Sequence, residues 1–151
     1  MMAAAQLENC PTFIPVVAAA IFDDRGRVLL QRCLPHKRHA GLWEFPGGKV
    51  ENGETPRFAL CREIREELAI ELGESELSPA GMADEPACEG RPALVLFLYK
   101  ALQWRGVPEG REGQGWGWFT LADAARVPLP GMDRALLTQL AAGLREARAN
   151  W

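Results

Sequence analysis

Between Gly47 and Ile70 the chain reads GGKVENGETPRFALCREIREELAI, and this stretch holds the residue types that could do chemistry. Glu51, Glu54, Glu63, Glu66 and Glu67, with Glu44 just upstream, crowd around a Gly-rich loop and a short helical segment. On a helix of 3.6 residues per turn, Glu63, Glu66 and Glu67 stand at i, i+3 and i+4 and share a face. Like charges so spaced repel by about 0.2–0.5 kcal/mol per pair, and Arg62 and Arg65 offset only part of it. A divalent cation is the stronger countercharge, because hard ions such as Mg²⁺ take carboxylate, water and phosphate oxygens as ligands. The alternative is a solvated acidic helix face, and the residues before the helix weigh against it.

Thr55 is a suitable N-cap and Pro56 a suitable first helical residue. The helix therefore starts where the Gly47-Gly48-Lys49 and Asn52-Gly53-Glu54 turns end, and Gly-rich turns let main-chain groups approach a ligand closely. Leu60, Ile64 and Leu68 form the apolar stripe that holds the helix on a core while the acids project elsewhere.

Gly48, Glu54, Arg62-Glu63-Ile64-Arg65-Glu66-Glu67-Leu68 and Ile70 closely resemble the Nudix box, G-x5-E-x7-R-E-U-x-E-E-x-G-U, with U bulky and aliphatic. One fixed position departs: Ala69 stands where the motif has a helix-ending Gly. Ala in the left-handed region costs on the order of 1 kcal/mol, so the helix exit is expected to run on toward Gly73. LWEFPGGKVE at Leu42–Glu51, GREGQ at Gly110–Gln114, the segment around Trp118 and PLPGMD at Pro128–Asp133 resemble the MutT-like branch of the family.

The rest of the chain must position that stretch. Its 151 residues, 48% hydrophobic and 25% charged, suit one globular domain over residues 12–151 behind a loose arm at 1–11. TFIPVVAAAIF at Thr12–Phe22 reads as a buried strand, Asp23–Gly26 as a turn, and Arg27–Arg32 as the returning strand of a hairpin. Cys33–Ala40 reads as a loop, and Gly41–Pro46 follows it as the approach to the Gly-rich turn. Leu77–Asp84, Ala93–Leu102 and Trp116–Phe119 read as strands, the second of them central. Leu121–Ala125 is a helical turn, and Asp133 can open a last helix over Arg134–Arg148 with Leu136, Leu137, Leu140 and Leu144 on one face. The pattern is α+β, and the resemblance implies a Nudix-type three-layer α/β/α sandwich around a mixed β-sheet.

A net charge of −3 argues against polymeric nucleic acid as a partner. Cys10, Cys33, Cys61 and Cys88 form no C-x-x-C pair, no apolar run spans a membrane, and no leader segment opens the chain, so a cytoplasmic protein with reduced thiols is expected. With no Ser-His-Asp order, water is the better nucleophile. The resemblance implies Mg²⁺-dependent hydrolysis, Mn²⁺ substituting, of (deoxy)nucleoside triphosphates to monophosphate and pyrophosphate, with 8-oxo-dGTP-like purines as substrates. CTP, a modified pyrimidine triphosphate, a nucleotide sugar or a dinucleotide is the alternative, and a non-catalytic nucleotide-binding module a third reading.

The same resemblance puts the Gly48 carbonyl, Glu63, Glu66 and Glu67 around the metal, with Arg62 orienting Glu63 and neighbouring groups and Glu54 supporting the loop or the outer metal shell. Glu112 becomes an extra ligand or the base, or else an exposed loop residue. Arg32, Lys49, Phe45 and Asp133 become substrate contacts. Asp133 could equally be a helix N-cap, and Trp43, Phe45 and Trp118 could stack on a base, although large aromatics are more often core. Cys33 follows Arg32 where MutT-like chains often carry a second Arg, which weakens the case for oxidised guanine. A monomer or homodimer is expected.

Overall fold

The computed structural model describes residues 12–150. The arm expected over residues 1–11 lies outside the described residues. Strands β1 (Phe13–Ile21), β2 (Val28–Arg32), β3 (Trp43–Glu44) and β4 (Gly47–Lys49) precede helix α1 (Pro56–Leu68). A 3₁₀ turn at Glu74–Glu76 leads into β5 (Leu77–Glu85), β6 (Ala93–Ala101), β7 (Trp116–Phe119), α2 (Leu121–Ala124) and α3 (Gly131–Ala149).

The strands form a four-stranded sheet in the order β4-β1-β6-β5 and a three-stranded sheet in the order β3-β2-β7. The larger sheet is mixed: β1 runs parallel to β6 and antiparallel to β4. Successive side chains of a strand point to opposite faces, and β1 is apolar at nearly every position because both faces are covered. Val17, Ala19 and Ile21 join Leu60, Ile64 and Leu68 of α1 in one core, while Ala18 and Ala20 join Leu136, Leu137 and Leu140 of α3 in the other. Each such Leu or Ile contributes about 1.5–3 kcal/mol by leaving water. The result is the Nudix-type α/β/α sandwich, with α1 and α3 on opposite faces.

The hairpin expected from β1 and β2 does not form. Both edges of β1 are taken, by β4 and by β6, so after the Asp23–Gly26 turn a single Phe22–Val28 bridge remains and β2 leaves to pair with β3 and β7. Residues 43–44, given no element from the sequence, and 47–49, expected as a turn, become two short strands because β2 and β1 offer them edges. Helix α1 begins as expected: Thr55 is extended, and its side chain accepts from Phe58 N at 3.2 Å. Its exit differs from expectation. Ala69 itself takes the left-handed conformation, φ 59 and ψ 22, and its N–H reaches the Arg65 carbonyl, so the helix stops at Leu68 without waiting for Gly73. The last helix starts earlier than expected, at Gly131 after Pro130, which places Asp133 inside its first turn.

Candidate active site

Arg62 gathers the acids of the loop and of α1. Its Nε and Nη2 form a fork on Glu54 at 2.6 and 2.8 Å, and its Nη1 reaches Glu63 at 3.0 Å and Glu66 at 3.3 Å. The Lys49 carbonyl accepts from the same guanidinium at 3.2 Å, which ties β4 to the helix. The Arg62 charge holds the Glu54 carboxyl below its ordinary range. Glu63 goes the other way: burial raises it, and Glu66 and Glu112 add to the rise against Arg62. A Cβ on Gly48 would collide with the Glu63 carboxyl group as it stands, so any side chain there would displace that carboxyl.

Glu67 is buried at 6% exposure, and burial is the main force pushing its carboxyl up to about 8, with Glu63, Glu112 and Glu44 adding repulsion. Only the Gln31 amide, 3.1 Å away, favours its charge. Glu44, opposite Gln31 on β3, is likewise pushed up to about 7, by burial and then by Asp133. These acids line a cleft of about 60 Å³ together with Gln31, Arg32, Lys37, Glu112 and Gln114. Beside it lies a pocket of about 600 Å³ with Ile14 and Leu94 among its apolar walls and His36, Lys37, Arg38, Lys49 and Arg91 along its basic side. Lys37 lines both spaces.

The loop carrying Glu112 is strapped to the end of α1. Glu109 N donates to the Leu68 carbonyl at 2.9 Å and Arg111 N to the Glu67 carbonyl at 3.0 Å, satisfying carbonyls that a helix end leaves without partners. A NUDIX domain model matches residues 12–140. The chain belongs to the Nudix family.

Among its Nudix relatives, a CTP pyrophosphohydrolase of Escherichia coli is 37% identical over 87% of this chain and 94% of its own. An 8-oxo-dGTP diphosphatase of Haemophilus influenzae is 38% identical over 76% of this chain and 83% of its own. The crystal structure of a MutT Nudix hydrolase from Burkholderia pseudomallei superposes with a TM-score of 0.74 at 33% identity, over 84% of this chain and 97% of that one. The chain is therefore a MutT-like Nudix hydrolase, a pyrophosphohydrolase by kinship.

Members of this family generally use a divalent metal, and the donors present suit one in kind. Glu63, Glu66, Glu67, Glu112 and the Gly48 carbonyl supply only oxygen, the ligand that hard cations take. The rise of Glu67 to about 8 marks buried negative charge without a full countercharge. As the side chains stand, Glu63 and Glu66 turn to Arg62 and Glu67 to Gln31. Among the described residues no three acids, histidines or cysteines close on one point.

The remaining residues singled out from the sequence are placed as follows. Arg32 lines the small cleft, its Nε on the Gly41 carbonyl at 3.2 Å, and Lys49 lines the larger pocket. Phe45 and Asp133 are buried at 4% and 5% exposure, and Phe45 N donates to Asp133 Oδ1 at 3.0 Å. Asp133 is thus no N-cap; it holds the β3–β4 segment, and burial pushes its carboxyl up to about 6. Trp43 packs edge-on against Phe119 and Trp118 stacks on Trp104.

Sequence reasoning missed Gln31 and Gln114, both buried against the acids. One signal for Gln31 was available: by the period of two it shares a face with Leu29, so a polar group there points to the α1 side. His36 and His39 converge on no metal set, and Cys33, Cys61 and Cys88 are free thiols.

Proposed function

We propose that this chain is a Mg²⁺-dependent nucleoside triphosphate pyrophosphohydrolase of the nucleotide-sanitising kind, converting 8-oxo-dGTP or a related purine nucleotide to its monophosphate and pyrophosphate in the cytoplasm. The observation that carries this reading is the meeting of two oppositely charged spaces. A small cleft lined by Glu44, Glu67 and Glu112 adjoins a basic pocket of about 600 Å³, and Lys37 belongs to both. Carboxylates suit a cation, and a basic space with apolar walls suits phosphates and a base.

Glu63, Glu66, Glu67 and Glu112 with the Gly48 carbonyl would hold Mg²⁺. Bound there, it would neutralise phosphate charge and acidify the attacking water. Arg62 keeps Glu63 and Glu66 gathered on one side of the helix. Arg32, Lys37 and Lys49 receive the phosphates; Phe45 and Asp133, expected from the resemblance to contact substrate, line neither space and brace the β3–β4 segment instead. Glu112 serves as a further ligand or takes the proton of the attacking water. The water oxygen bonds to one phosphorus of the α–β anhydride, that bond breaks, and the bridging oxygen departs with the electron pair, on pyrophosphate after attack at the α-phosphorus or on the monophosphate after attack at the β-phosphorus.

A second reading, CTP as substrate, is favoured by the 37% identical CTP pyrophosphohydrolase and by Cys33 after Arg32. A panel of 8-oxo-dGTP, dGTP, CTP and dCTP with Mg²⁺, read as pyrophosphate release, separates the two. Glu66→Gln is the control: equal rates for variant and wild type defeat the site assignment, and phosphate in place of pyrophosphate defeats the reaction assignment.

A further inference from the structure

Two buried amides stand between the acid of the helix and the acid of the loop, and each of their contacts has a direction. The Glu112 backbone N–H donates to Gln114 Oε1 at 3.0 Å. Gln114 Nε2 donates to Gln31 Oε1 at 3.2 Å and to the Glu67 carbonyl at 3.0 Å. Gln31 Nε2 in turn donates to Glu67 Oε2 at 3.1 Å. The chain spans residues far apart in sequence: Gln31 on β2, Glu67 on α1 and Gln114 just before β7. Gln31 and Gln114 are 6% and 7% exposed, and among the described residues no buried side-chain polar atom lacks a partner.

We propose that Gln31 and Gln114 are positioning residues for hydrolysis, a two-amide link that fixes the Glu67 carboxylate in one rotation and holds the Glu112 loop against helix α1. The inference deepens the function proposed above and rests on it. The polarity of the link explains the residue type. An amide offers both a donor and an acceptor, so each glutamine can take a hydrogen bond from one neighbour and pass one to the next. The link ends with a donor on Glu67 Oε2, leaving that residue's other oxygen uncommitted by the amide. A carboxylate at either position would meet Glu67 with acceptors only, and an apolar residue would leave Glu67 buried without the donor that favours its charge.

Groups that orient metal-binding carboxylates typically change metal affinity or activity by about 10–100-fold when removed. The test uses the full chain with Gln31→Met, Gln114→Met, the double variant and Gln114→Glu. The last is isosteric and keeps the acceptor for the Glu112 N–H, while it removes both donations and sets a further carboxyl beside Glu67. Pyrophosphate release gives kcat and KM, and binding of Mn²⁺ alone to the nucleotide-free protein is read from water-proton relaxation. The expected result is kcat lower by about 10–100-fold with the nucleotide KM unchanged, Mn²⁺ binding weakened in parallel, and a double variant no worse than the worse single one, because one link is cut either way.

A purely structural role would lower the melting temperature without splitting kcat from KM or moving the Mn²⁺ titration. Wild-type kcat together with wild-type Mn²⁺ binding in Gln114→Glu overturns the proposal, whatever the methionine variants do. If the unaltered protein neither binds Mn²⁺ nor releases pyrophosphate, the function reading itself has failed and this inference falls with it.

Discussion

Replacing Glu67 by Gln should strengthen the metal-free fold while removing activity. Glu67 stands at 4.5 when unperturbed and is pushed up to about 8 in the folded chain, so the folded state holds its proton more tightly than the unfolded state. Below pH 4.5 both states are protonated and the residue carries no penalty. As pH rises from there toward about 8, the unfolded chain ionises while the folded one resists, and stability falls by about 1.36 kcal/mol per pH unit. The accumulated loss is ~3 kcal/mol at pH 7 and ~4–5 kcal/mol above pH 8. The amide introduced by Glu67→Gln would keep an oxygen for the Gln31 amide, whose bond to Glu67 is 3.1 Å in the wild type, and would never ionise.

Urea denaturation of chelator-treated wild type and Glu67→Gln at pH 5, 7 and 8.5 measures the effect, with m-values confirming a common transition. The variant should gain little at pH 5 and most at pH 8.5. Its residual pH slope belongs chiefly to Glu44 and Asp133, which burial also raises. Saturating Mg²⁺ should narrow the gap, because a ligand at 100 times its Kd adds about 2.7 kcal/mol to the state that binds it, and it should bring the two close to level at pH 7. Equal stability of variant and wild type at pH 8.5, or an unchanged pH slope, would refute the argument that buried charge is held here for a cation.

Ala69→Gly should raise stability by about 0.5–1 kcal/mol, the left-handed strain of about 1–2 kcal/mol less the added freedom of the unfolded chain. That is a melting point about 2–4 °C higher per kcal/mol at unchanged kcat, and a lower melting point would show that the Ala69 methyl packs usefully. Arg62→Lys loses the fork on Glu54 and should lower kcat by about 10–100-fold with the circular dichroism unchanged; a wild-type kcat would show that the acids need only a point charge. Asp133→Asn keeps an acceptor for Phe45 N but cannot ionise, so with the carboxyl pushed up to about 6 it should gain ~2–3 kcal/mol over wild type at pH 8 and nothing at pH 4. A gain independent of pH in urea denaturation would count against burial as the cause.

The parts of the site legible in the sequence are those set by near neighbours. Thr55, Pro56 and the Leu60-Ile64-Leu68 stripe determine the start and face of α1 within a few turns, and the shared face of Glu63, Glu66 and Glu67 follows from helix geometry alone. The illegible parts depend on competition between distant segments. The Asp23–Gly26 turn argued for a hairpin, but β4 and β6 had already taken both edges of β1. Asp133 looked like a helix opener because its partner, Phe45 N, lies 88 residues away. Spacing alone made Arg62 a partial offset for the acids, and the resemblance alone implied that it orients Glu63 and its neighbours; its guanidinium reaches Glu54, Glu63 and Glu66 together, a convergence that i, i+4 spacing explains only for Glu66.

The alternation of β2 shows why the site sits where it does. Val28 and Leu30 face the α3 core and Leu29 faces the α1 core, so the next residue on the α1 face is Gln31, at the strand's far end. There the apolar run stops and the loop from β6 to β7 closes over the last turn of α1, which leaves Glu67 shielded from water but still beside a cleft. A carboxyl fully inside the core would simply stay protonated, and one fully outside would find water an adequate partner. Only at this boundary is a glutamate's ionisation opposed by burial while its carboxyl remains within reach of a cation in the cleft. The same boundary explains why a change that relieves Glu67 should strengthen the fold and weaken the enzyme, a trade expected where stability and chemistry draw on one buried group.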